Sequence, residues 1–145
     1  MTTIIEAVAK ALIINEKNEA LILTIGEYKE HPEKSYTPDL PGGQVDFGES
    51  ERDAVVREIN EEAGIVVALN DARQVFSETV FYPEENKSVS KHLYVVKLDY
   101  TPEVTVSWEH ATYEWKSLST LLETTEFRSF YEKAIRYTIE HELIG

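Results

Sequence analysis

Residues 43–65 read GQVDFGESERDAVVREINEEAGI, and this stretch decides the fold. Its centre predicts a helix over 50–63. Ser50 can cap the first turn, with Asp53 three residues on as a variant of the capping box. Glu51 and Asp53 lie where the positive end of the helix dipole favours acids. Val55, Ile59 and Ala63, joined by Val56, form an apolar stripe, and Gly64 is placed to end the helix. The other face carries a conflict. Glu58, Glu61 and Glu62 project from one side, and like charges at that spacing each cost roughly 0.2–0.5 kcal/mol. They also sit near the carbonyl end, where anions are disfavoured by a further ~0.3–1 kcal/mol each. Arg57 balances only part of this charge. Clustered carboxylates are hard ligands suited to magnesium, manganese or calcium, the alternative being a solvated acidic face paired with Arg57.

Upstream of this stretch, Ile4 to Asn15 reads as a largely buried strand, with Ala20 to Ile25 as its hairpin partner. Residues 26–39 turn polar and predict a loop. Gln74–Tyr82 and Ser88–Tyr100 predict two long strands joined by residues 83–87, and residues 113–115 suggest one more short strand. Ser117–Leu122 and Glu126–Leu143 read as helical. The order predicts an α/β (α+β) domain over residues 1–145, a mixed sheet sandwiched between helices.

The chain carries 27 acidic and 14 basic residues, for a net charge of −13. Such a surface repels nucleic-acid polymers but admits a small phosphorylated substrate, because a divalent cation reverses the local potential. There is no cysteine and no run of the 18 to 20 apolar residues that a membrane span needs. The N-terminal residues do not read as a secretory signal, so a cytoplasmic setting without membrane partners is expected.

From Gly43, the spacing of Glu49, the run Arg57-Glu58-Ile59-Asn60-Glu61-Glu62-Ala63-Gly64 and Ile65 matches every fixed position of the Nudix box, G-x(5)-E-x(7)-R-E-U-x-E-E-x-G-U, with U aliphatic. Leu40-Pro41-Gly42 also resembles the usual lead-in. The chain therefore resembles the Nudix hydrolase family, and the resemblance implies the Nudix fold over nearly its whole length. It implies that Glu58, Glu61 and Glu62 bind the metal, joined by the Gly43 carbonyl, and that Glu49 and Arg57 brace the ligands. The implied cofactor is magnesium, with manganese as an alternative. The implied chemistry is attack of water on a diphosphate of a nucleoside diphosphate derivative, such as a nucleoside triphosphate or its oxidised form. A carboxylate would take the proton. Glu61 is the candidate within the box. Outside it, Trp108-Glu109-His110 followed by Tyr113-Glu114-Trp115 resembles a family segment whose loop glutamate reaches the metal site, which makes Glu109 a second candidate or else an ordinary exposed acid. His110 reads as structural.

The substrate is less legible. No arginine follows the second strand, and Pro38 stands where many relatives carry an aromatic. Lys29, Lys34, Lys87 and Lys91 are candidate phosphate partners or plain surface. Tyr82 resembles, weakly, an aromatic of dinucleoside-polyphosphate hydrolases, though Phe81 and Tyr82 read first as sheet residues. Dinucleoside polyphosphates and ADP-ribose remain alternative substrates. The other functional classes are a nucleotide-sensing module without turnover and a calcium-binding protein, the latter lacking the loop pattern of alternating aspartates. Family habit adds a homodimer as one assembly open to the chain.

Overall fold

The computed structural model describes residues 2–145. Its strands are β1 (Ile4–Ile14), β2 (Glu19–Ile25), β3 (Pro38–Asp39), β4 (Gly42–Gln44), β5 (Ala72–Tyr82), β6 (Lys87–Lys97) and β7 (His110–Ser117), and its helices α1 (Glu51–Ala63), α2 (Leu121–Thr124) and α3 (Ser129–Glu140). All seven strands join one mixed sheet, with β1 and β6 parallel at its centre and β5 antiparallel to β6.

Strand β1 is apolar from Ala11 to Ile14 because both of its faces are covered. Ala9, Ala11 and Ile13 pack with Val55, Ile59 and Ala63 of α1. Leu12 and Ile14 point the other way, into a second core with Phe130, Tyr131, Ala134 and Ile135 of α3. Each large side chain so buried contributes on the order of 1.5–3 kcal/mol of transfer free energy. By the same alternation Lys10 lies on the α3 side of the sheet, a charged residue within an apolar run.

Helix α1 forms as its sequence predicts. The Ser50 hydroxyl accepts from the Asp53 amide, and Gly64 ends the helix in the left-handed conformation. Other boundaries differ. Strand β2 meets β1 at Ile14 and Ala20 and then diverges to pair with β7 along its length. The space it leaves beside β1 is taken by β4, whose Gly42 and Gly43 lie opposite Lys10 and Ala9. The polar segment 26–39 is not all loop: it holds a 3-10 turn at Pro32–Lys34 and strand β3. The last helix is shorter than its apolar spacing suggests. Lys116 Nζ donates to the Thr124 carbonyl and the Thr125 hydroxyl, and Thr125 and Arg128 are extended, so residues 125–128 separate α2 from α3. At the other end Glu142 turns left-handed, and the Leu143 amide returns to the Thr138 carbonyl. Residues 117–122 divide between a 3-10 turn and the start of α2. Among the described residues no helix is long and apolar enough to cross a membrane.

Candidate active site

The short strand β4 and helix α1 bring the first set of candidates together. Arg57 is their hub. Its Nε donates to Glu49 Oε2 at 2.8 Å and its Nη2 to Glu49 Oε1 at 2.9 Å, a two-pronged ion pair across the loop that enters the helix. Its Nη1 reaches Glu58 at 3.2 Å and Glu61 at 3.1 Å, and Nη2 also bonds the Gln44 carbonyl. The bonds from Arg57, then the Asp46 amide, hold the Glu49 carboxyl down at about 2.

The three helix glutamates sit in different surroundings. Glu61 is the most exposed, with Arg57 its ion-pair partner. Glu58 is half-buried, and burial first of all pushes its carboxyl upward. Glu62 is buried, accepting from the Gly42 amide at 3.4 Å. Burial, with Asp39, Glu58 and Glu109 nearby, pushes it up to about 8 against the pull of Lys10. Among the described residues no three acidic or histidine side chains converge as a ready-made ligand cluster, since Arg57 is the counter-ion of Glu58 and Glu61 and Glu62 turns inward. The donor set nonetheless fits a hard divalent cation. Every donor is oxygen, and the lysine nearest Glu62 is already committed to Asp39 and to the carbonyls of Leu40 and Gly42. Gly43 fits the same picture: its bare Cα lets the main chain lie against the Glu58 carboxylate.

Beside this cluster, on the α3 side of the sheet, lies a cleft of about 590 Å³. Glu109 stands on its lining, exposed, and close enough to Glu62 to raise the charge cost there. The Glu109 carbonyl accepts from Gly26 at 2.9 Å, whereas its carboxylate makes no hydrogen bond or ion pair among the described residues. Lys34 and Lys91 line the cleft, as does Tyr82 of β5, whose hydroxyl accepts from Lys91 at 3.1 Å. Lys29 is not part of the lining, and Lys87 pairs with Glu6 and Glu85.

Sequence reasoning passed over the floor of this cleft. Lys10, Asp39, His110, Arg128 and Tyr131 meet there from positions far apart in the chain. Asp39 accepts from Lys10 at 3.2 Å, His110 at 2.8 Å and Tyr131 at 2.5 Å, and Arg128 lies 3.5 Å away. The signal that could have found Lys10 is its place in the middle of the apolar strand β1.

Known proteins share this fold. The family model described as "NUDIX domain" matches residues 5–137, taking in the whole box, the cleft floor and most of α3. The chain belongs to the Nudix family. A bis(5'-nucleosyl)-tetraphosphatase (asymmetrical) of Caenorhabditis elegans is 30% identical over 119 residues, which is 82% of this chain and 85% of that one. Among solved structures, a MutT protein from Methanosarcina mazei superposes with a TM-score of 0.80 at 27% identity, covering 98% of this chain and 99% of its own. A C. elegans Ap4A hydrolase binary complex gives a TM-score of 0.71 at 25% identity, covering 95% and 98%. With the Nudix family comes the reaction class: the chain is a pyrophosphohydrolase that cuts a diphosphate linkage in a nucleoside diphosphate derivative.

Proposed function

We propose that this Nudix hydrolase acts on dinucleoside polyphosphates in a magnesium-dependent reaction. The observation that carries the substrate is the charge of the cleft. In a chain of net charge −13, Lys10, Lys34, Lys91 and Arg128 line it against only Asp39 and Glu109, and Asp39 is neutralised by Lys10. With Glu109 also counted, two net positive charges remain for the substrate, next to a site whose own cation would already serve the scissile diphosphate. They suit further phosphates in the chain. The partly exposed rings of Tyr28 and Tyr82 on the same cleft offer flat apolar surface to a nucleobase. The likeness to the C. elegans tetraphosphatase supports the same substrate class.

In this reading Glu58, Glu61 and Glu62 hold the metal with the Gly43 carbonyl, and the Glu49–Arg57 pair fixes their geometry. A metal held there would supply charge neutralisation at the phosphate oxygens and a lowered pKa for the attacking water. Glu109 takes the water's proton. Among the described residues its carboxylate has no hydrogen-bond or ion-pair partner, and the residue lines the cleft, whereas Glu61 is engaged with Arg57. A cytoplasmic setting, where nucleotides and magnesium meet, belongs to this reading.

The test is a product analysis with magnesium over dinucleoside tetraphosphates, nucleoside triphosphates, ADP-ribose and nucleotide sugars. Dinucleoside tetraphosphate should give the highest kcat/KM, by at least about tenfold, or 1.4 kcal/mol. A preference for nucleotide sugars, which carry no phosphate beyond the scissile pair, would overturn it.

A further inference from the structure

The buried carboxylate of Asp39 holds together more of the fold than a two-residue strand needs. Its Oδ1 accepts from Lys10 of β1 and Tyr131 of α3, and its Oδ2 accepts from His110 at the start of β7. Two buried nitrogens around it, His110 Nδ1 and Arg128 Nε, have no hydrogen-bond partner among the described residues. Unpaired buried groups oppose folding, and buried ion pairs are weak sources of stability, so stability alone does not explain this arrangement.

Its position does. His110 directly follows Glu109, in a turn closed by the His110 amide bonding to the Ser107 carbonyl at 3.1 Å. The Ser107 amide bonds the Glu62 carbonyl at 3.1 Å, and the Gly26 amide bonds the Glu109 carbonyl at 2.9 Å. The main chain on both sides of Glu109 is therefore fixed, and the His110 ring, only 2% exposed, anchors the turn to Asp39. Through Lys10, the same carboxylate also tacks down the carbonyls of Leu40 and Gly42, just ahead of Gly43. One buried group thus ties down two segments of the site.

We propose that Asp39 and His110 form a positioning pair that holds Glu109 where it can take the proton from the attacking water. The pair lies on the floor of the cleft and acts on the base through the turn, not on the reacting atoms. The inference rests on the role assigned to Glu109 above.

The experiment is a double-mutant cycle of Glu109→Gln and His110→Ala on the full chain, with magnesium and dinucleoside tetraphosphate, alongside thermal midpoints of every variant. Glu109→Gln should lower kcat by about 100-fold or more, as loss of a general base does. His110→Ala should lower kcat by about 10–100-fold with KM changed by less than about twofold, because misplacement affects the reacting geometry. In the His110→Ala background, Glu109→Gln should then cost less than about fivefold, since the base is already out of place. His110→Gln, which can still donate to Asp39, should restore most of kcat.

An equal cost of Glu109→Gln in both backgrounds would overturn the proposal and leave His110 a structural residue only. If Glu109→Gln alone left kcat intact, the proposal would fall because its base is wrong, while the metal reading would stand or fall separately on Glu61→Gln. If His110→Ala fails to fold, the same cycle with His110→Asn, too short to reach Asp39 without moving the turn, decides on the same criteria.

Discussion

Gly43 and Glu58 are packed so closely that a Cβ placed on Gly43 would stand 2.8 Å from Glu58 Oε1 and 3.0 Å from Oε2. The opposing atoms are the carboxylate end of a side chain, whose Oε1 also accepts from Arg57. Gly43→Ala therefore has to displace the carboxylate itself. Steady-state assays should show kcat reduced by about tenfold or more, as expected for a misoriented ligand. The thermal midpoint should fall only slightly, because a side chain can swing away where backbone cannot.

Arg57 engages both oxygens of Glu49 and still reaches Glu58 and Glu61. Lysine, with one ammonium, cannot reproduce that fork. Arg57→Lys should lower magnesium-dependent kcat by about 10–100-fold. Activity within twofold of the parent would mean that charge alone, without the fork, suffices.

Ser50 caps α1 through its side chain, at the end of the helix remote from Glu61 and Glu62. Ser50→Ala should cost about 1 kcal/mol. For a chain of this size that is a drop of roughly 2–4 °C in the thermal midpoint. Calorimetry measures it directly, and a midpoint unchanged within error would show that the cap is dispensable.

Burial alone would raise the Asp39 carboxyl, but Lys10, together with the bonds from His110 and Tyr131, holds it well below the usual carboxylate range. A depressed value contributes stability that is present above the unfolded value near ~3.9 and is lost as pH falls toward the folded one. Asp39→Asn removes that contribution and leaves Lys10 buried without its partner, a loss of about 3 kcal/mol at pH 6. Denaturation curves should show the gap between parent and variant narrowing below about pH 4. A gap that stays constant from pH 6 to pH 3 would contradict the assignment.

These residues also show why part of the site could be read from the sequence and part could not. Glu58, Glu61, Glu62, Arg57 and Glu49 lie within 14 consecutive residues, and helical spacing alone places three of them on one side. The cap at Ser50 and the stop at Gly64 are equally local, so α1 formed where it was expected. Lys10, Asp39, His110 and Tyr131 gather only after β4 has displaced β2 from beside β1 and α3 has packed across the sheet. No periodicity reports such a meeting. The early end of the helical region was hidden for a similar reason: residues 126–128 have helical spacing, but Lys116, from another element, captures the carbonyl and hydroxyl just before them.

The most direct measurement for the account as a whole is the magnesium-dependent rate of dinucleoside tetraphosphate hydrolysis by Glu61→Gln, with circular dichroism on the same sample. Glu61 is exposed and borders the solvent, so the substitution leaves the core untouched. If Glu61 holds the metal, kcat should fall by at least about 100-fold with an unchanged spectrum and thermal midpoint. Full activity in that variant would contradict the assignment of the metal to the glutamates of α1.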